Sequence, residues 1–138
     1  MSTLEGLSFA QIAGPVPERR VLANGLEVIY SHRPGIGLCT VQAWVRTGSI
    51  HEGRWEGSGI SHYLEHMVFK GTTSKSAFDL ASGFDSLGAA VDAFTTKDLV
   101  AFTIRVLPEY FEAAADLLAE MLLQPAFDPE MAALEQDV

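Results

Sequence analysis

Residues 89–107, "AAVDAFTTKDLVAFTIRVL", hold two alternating runs of strand-forming residues joined by Thr96-Lys97-Asp98. A period of two sends successive side chains to opposite faces, so each run reads as a strand. A polar link this short can only join antiparallel neighbours, so the pair is a hairpin. A two-stranded hairpin is not stable alone in water. It needs more strands or a helix layer over its apolar face, and the remainder of the chain has to supply them.

Upstream, Asn24-Gly25 is a two-residue turn signal inside "RRVLANGLEVIYSH", which predicts another hairpin. "LCTVQAWVRTG" alternates Cys39, Val41, Ala43 and Val45 with Leu38, Thr40, Gln42, Trp44 and Arg46, a strand with both faces partly covered. A Gly-rich loop, "GSIHEGRWEGSG", leads to "ISHYLEHMVFKG", a helix that Gly71 should end. A second helix is expected in "SAFDLASGFDSLG", with Phe78, Ala81, Phe84 (or Leu80) and Leu87 at helical spacing and Gly88 as its stop. Pro108 opens a long amphipathic helix through Phe111, Leu118 and Leu122 to Pro125, and Asp128-Pro129-Glu130 caps and starts a last one. Helices and hairpins in this order predict an α+β fold, a largely antiparallel sheet with helices packed on one face, truncated within its last helix.

With 138 residues, 48% of them hydrophobic, the chain has the length and composition to bury a core as one globular domain. Its formal charge of −9 repels polyanions, so neither nucleic acid nor an anionic membrane is an expected partner. Cys39 is the single cysteine, which excludes an intrachain disulfide and a cysteine zinc ribbon; on a strand's inward face it reads as a small core hydrophobe. The start carries no basic segment followed by an apolar run, and no stretch approaches a membrane span, so a cytoplasmic location is expected. Residues 1–18, interrupted by Gly and Pro, read as an N-terminal arm.

The chemistry concentrates in "HYLEH". On a helix, positions four apart lie on one face, so His62 and His66 can share one ion, with Glu65 beside them and able to reach a water without being a ligand. Neutral imidazole suits zinc, and a catalytic zinc keeps one position open for water. The bland alternative, surface or structural histidines, leaves three ionisable groups on the apolar side of a helix without a partner, which is costly.

With "HYLEHMVFKGT" in place, and "NGLEVIYSH", "AWVRTGSIHE", "SLGAAVDAFTTKD" and "FDPEMAALEQDV" in matching order, the chain resembles the pitrilysin, insulysin and mitochondrial processing peptidase family of inverted zincins. The resemblance implies a zinc-dependent endopeptidase, with residues 19–138 as part of its N-terminal catalytic domain. It implies that His62 and His66 are zinc ligands, that Glu65 is the general base, and that Phe69 lines the pocket beside the scissile bond. "VDAFTT", with Asp92, Ala93 and Phe94, is implied to receive the substrate as an added strand; family members commonly have Asn where Asp92 stands. Glu135 matches an auxiliary catalytic glutamate, and the third zinc ligand is implied to lie a few positions beyond Val138. Implied partners are a peptide or unfolded polypeptide substrate and either a missing C-terminal half or a homologous subunit.

Plainer readings stand beside these. Phe69 also reads as a core residue, Asp92 as the exposed face of a strand, and His32, His51 and Trp55 as loop or surface groups. A non-catalytic peptide-binding or assembly subunit of the same family is the rival function for the chain, whereas a structural zinc site would need a fourth protein ligand.

Overall fold

The structure is a computed structural model in which residues 15–135 are described. It divides into two compact units, of which residues 15–36 and 37–135 are the described parts, and each is treated by itself. Most of the expected N-terminal arm lies outside the described residues.

In the first unit, β1 (Glu18–Val21) pairs antiparallel with β2 (Glu27–Tyr30), Glu18 opposite Tyr30 and Val21 opposite Glu27. The turn differs from the two-residue link that Asn24-Gly25 suggests. The Gly25 N–H donates to the Leu22 carbonyl and the Leu22 N–H to that of Leu26, both at 2.9 Å, so the loop has three residues. Gly25 takes φ +86°, which completes the three-residue form in which a type I turn is followed by a left-handed glycine.

The second unit is built on β3 (Cys39–Val45), β4 (Ala90–Thr95) and β5 (Val100–Val106), an antiparallel sheet in the order β3-β5-β4. Register sorts the faces. Val41 and Ala43 flank Ile104 and Phe102 from one side, and Val91 and Ala93 flank them from the other. Three helices bring Val68, Leu80, Phe84, Ala114, Leu118 and Met121 into one core with Val100, Phe102, Ile104 and Val106. These helices are α1 (Ile60–Val68), α2 (Ala77–Ser86) and α3 (Phe111–Leu123). The α+β class with helices on one sheet face is therefore as expected. Cys39 is half-buried against this core. The opposite sheet face closes with its own side chains: Trp44 and Phe94 both stand opposite Ala101, their rings edge-on with centroids 6.1 Å apart, and Gln42 Nε2 donates to Thr103 Oγ1 at 3.0 Å.

Local chemistry sets the element ends. α2 opens on a capping box between Ser76 and Asp79 and closes on Gly88, at φ +60°, with the Ala89 N–H bonded to the Phe84 carbonyl. Its buried stripe runs through Leu80 and Phe84, with Leu87 packed against the core, all positions that the spacing named, while Phe78 is 78% exposed and lies off that stripe. Likewise α3 follows a 3-10 turn at Pro108–Tyr110 and buries Ala114, Leu118 and Met121, leaving Phe111 outside. α4 (Pro129–Glu135) follows Asp128, whose Oδ1 accepts from the Glu130 and Met131 N–H groups. Among the described residues, no helix is long and apolar enough to cross a membrane.

The loop after α1 is latched to α3 by one carboxylate. Glu120 accepts from Lys75 Nζ and Thr72 Oγ1, each at 2.6 Å, and from Ser74 Oγ at 2.5 Å. Led by the Lys75 bond, these donors pull its carboxyl down from 4.5 to about 2. A depressed pKa stabilises the fold above the unfolded value, and that contribution is lost as pH falls through the folded one. The melting temperature should therefore drop between pH 4.5 and about 2. Glu120→Gln should melt lower at pH 7 and show a flatter profile across that window, as followed by circular dichroism.

Candidate metal centre

The helix that carries the motif starts on Gly59, whose φ of +78° and lack of a side chain leave the first N–H groups uncapped by their own segment. Glu52, in the preceding loop, supplies the cap: its Oε1 accepts the Ser61 N–H at 2.8 Å, and this bond holds its carboxyl below the usual carboxylate range. At the other end, Phe69 caps the helix with its N–H on His66, and Gly71 falls beyond the cap, inside the latched loop. On the side of the helix, the Tyr63 hydroxyl donates to the Ala132 carbonyl of α4 at 2.9 Å. α1 is thus held at both ends and along its flank.

These anchors present His62, Glu65 and His66 together. The two imidazole Nε2 atoms are 3.1 Å apart, their ring centroids 4.5 Å apart, and one ligand atom from each of the three residues lies within 4.8 Å of the others. His62 is exposed, His66 half-buried, and Glu65 8% exposed. A carboxylate so enclosed needs a donor. It has one in Thr95, whose Oγ1 donates to Glu65 Oε2 at 2.5 Å, in the range of charge-assisted O–H···O⁻ bonds.

Thr95 is the last residue of β4 and is paired with Val100, so its side chain lies on the helix side of the sheet. The hairpin end is clamped there. The Ile50 N–H donates to the Lys97 carbonyl at 2.9 Å, and the Ser49 N–H reaches that of Thr96 at 3.4 Å. Gly48 makes this approach possible, because a Cβ on it would lie 2.5 Å from the Thr96 carbonyl oxygen.

Of the residues expected to meet substrate, Ala93 shares the helix-facing side with Thr95, whereas Asp92 and Phe94 alternate to the other side. Phe69 packs on the core, its ring 6.1 Å from that of Phe102. The side chain of Glu135 lies outside the described residues; its backbone belongs to α4. His32 and His51 are exposed, and within the second unit His51 is not part of the cluster. Thr95 and Glu52 were not singled out from sequence. Alternation alone puts Thr95 on the face of Val91 and Ala93, where a hydroxyl calls for an acceptor.

Among the described residues, the edge of β4 away from β5 is unpaired. The Thr96 N–H bonds the Leu99 carbonyl at 2.8 Å across the hairpin. By antiparallel alternation, the main-chain groups of Asp92 and Phe94 then face β5, and those of Val91, Ala93 and Thr95 face outward. Consistent with this, the Ala93 N–H is taken by the Asp92 carboxylate at 3.0 Å.

Residues 27–138 match the insulinase family, peptidase family M16. An uncharacterized zinc protease of Bacillus subtilis, YmxG, is 39% identical over 121 residues, covering 88% of this chain and 29% of the relative. The mitochondrial-processing peptidase subunit beta of Bos taurus is 36% identical over 115 residues, covering 82% of this chain and 23% of the relative. The chain thus spans under a third of the length of these relatives. A crystal structure of a peptidase M16 inactive domain from Pseudomonas fluorescens superposes with a TM-score of 0.81 at 23% identity, covering 88% of this chain and 29% of that one, a likeness of fold.

The clamp at Gly48 is open to test. Gly48→Ala forces the loop or the hairpin to shift, and overpacking of this kind costs about 1–3 kcal/mol. Chemical denaturation should show a loss in that range, with the backbone shift changes centred on Thr95–Lys97 and α1.

Proposed function

The chain belongs to the insulinase family of peptidases, and on that premise we propose that it carries the catalytic helix of a zinc-dependent endopeptidase, with His62 and His66 as metal ligands and Glu65 as general base. The observation that carries this reading is the convergence of two imidazoles and one buried carboxylate on a single helix face. The donor set suits zinc. Two nitrogens bound to one tetrahedral zinc at about 2.0–2.1 Å would be about 3.3 Å apart, close to the 3.1 Å between the two Nε2 atoms.

Zinc, when bound, supplies a Lewis acid that lowers the pKa of a water to roughly 7 and polarises the scissile carbonyl. The chain's own groups do the rest. His62 and His66 would hold the ion, and Glu65 would take the proton of the attacking water and return it to the leaving amine. With Oε2 engaged by Thr95, Oε1 is the atom that exchanges the proton. A catalytic zinc needs a third protein ligand. We assign it outside these residues, near α4, which the Tyr63 bond to Ala132 holds beside α1. Glu135, on the same helix, serves as an auxiliary carboxylate in this reading.

The substrate is a peptide or unfolded polypeptide that adds as a strand to the open edge of β4, with Ala93 offering main-chain groups and Asp92, Phe94 and Phe69 contributing contacts. The rest of the enclosure comes from further sequence or from a homologous subunit.

In the full-length natural protein, Glu65→Gln should cut peptide hydrolysis by about 10²–10⁴-fold while zinc stays bound, whereas His62→Ala should lose the metal. Zinc content and turnover measured on the same samples decide this. Equal metal loss in the glutamine variant would make Glu65 a ligand, and zinc-independent peptide binding without hydrolysis in the wild type would favour a non-catalytic subunit.

Ala93→Pro removes an outward-facing N–H that takes no part in the β4–β5 ladder, so the domain should fold while peptide affinity falls. Unchanged affinity in a folded variant would place the substrate elsewhere.

A further inference from the structure

Thr95 belongs to two surfaces. Its hydroxyl holds Glu65 Oε2, and its main chain belongs to the outward-facing set on the open edge of β4. It therefore ties the open edge of β4 to the carboxylate. The bond is enclosed, and the hairpin end beside it is clamped by the Ser49 and Ile50 N–H groups. A β-branched side chain on a strand has few χ1 choices, so the hydroxyl is aimed by the backbone itself.

We propose that Thr95 is a positioning residue of the hydrolytic site, orienting the Glu65 base from the same strand that receives the peptide; this rests on the reading of Glu65 as base. A glutamate has three side-chain torsions, and a general base must come within about 2.6–3.2 Å of the proton it takes. Anchoring Oε2 fixes where Oε1 points. Because the anchor sits on the docking strand, a peptide in register on β4 is also in register with the base. A misplacement of about 1 Å at such a centre costs on the order of 10²-fold in rate.

The consequence separates binding from turnover. Thr95→Val keeps shape, backbone and edge but removes the donor, whereas Thr95→Ser keeps the donor. In the full-length zinc-loaded protein with a fluorogenic peptide, Thr95→Val should lower kcat by about 10–100-fold with KM within about twofold and zinc affinity unchanged. Thr95→Ser should restore kcat to within about threefold of wild type. Crystals of the zinc-free proteins give a readout apart from activity: the Glu65 carboxylate should leave the β4 side in the valine variant and stay in the serine variant. If Thr95→Val does not fold, Thr95→Ala is assayed against the same thresholds.

Wild-type kcat in Thr95→Val, equal losses in the valine and serine variants, a loss carried by KM alone, or an unmoved Glu65 would each overturn the positioning role. Glu65→Gln run in parallel keeps the two readings apart. An inactive glutamine variant beside a fully active Thr95→Val sinks only the role of Thr95, while an active glutamine variant sinks the base assignment beneath it.

Discussion

A carboxylate enclosed between a helix and a sheet cannot be left without a donor, since an unmet charge there costs more than most single contacts contribute. Glu65 is placed in that position by α1, and Thr95 of β4 meets it. This one bond fixes which side of β4 faces the helix. It also fixes the register in which the β4–β5 hairpin can close, because a slip by one residue would turn Thr95 to the outer face and leave the carboxylate alone. The sheet's apolar pattern imposes the same register, with Val91 and Ala93 opposite Ile104 and Phe102. Packing and polar satisfaction therefore select one structure rather than competing.

The surroundings of α1 follow from the same need to hold a short helix still. A helix of 9 residues is marginal by itself, and both ends are fastened by carboxylates from elsewhere in the chain. Glu52 takes an amide at the first turn. Beyond the last turn, Glu120 gathers Thr72, Ser74 and Lys75 of the following loop. Gly48 lets the loop before α1 lie directly on the end of the hairpin. The helix that carries His62, Glu65 and His66 is thus anchored by polar groups of the loops on either side.

Much of this was legible beforehand because it is written in local periodicity. The alternation in residues 89–107, the glycine stop at Gly88 and the Asp128-Pro129 start each depend on neighbours in sequence, and each stands as read. The four-residue spacing of the histidines is local too. What escaped was set by contacts distant in sequence. Phe78 stands outside while Leu80, the alternative in the same run, is buried, because the sheet and α3 cover only the stripe of Leu80 and Phe84. Phe111 shares the stripe of Ala114 and Leu118 but, as the first residue of α3, lies at the end of the packed face and stays exposed. Glu52 and Thr95 act across gaps of 9 and 30 positions, and nothing in either neighbourhood announces the partner. The three-residue turn at Gly25 is a subtler miss, since the same dipeptide serves both hairpin forms.

The two faces of β4 divide the expected substrate residues in a way that the motif alone does not show. Ala93 and Thr95 share the helix side, while Asp92 and Phe94 share the other, where Phe94 rests edge-on against Trp44. A strand added to this edge would meet main-chain groups of Val91, Ala93 and Thr95, and its own side chains would alternate between the same two environments. Those pointing to the helix side would approach the imidazoles and the carboxylate; those pointing away would meet Asp92 and the aromatic pair. The Asp92 carboxylate occupies the Ala93 N–H, so a carbonyl of an added strand would have to displace it. The displaced charge then stands on the outer face, beside alternate residues of the added strand. If the edge takes a strand as proposed, Asp92 would therefore tie main-chain pairing to the charge on the outer face.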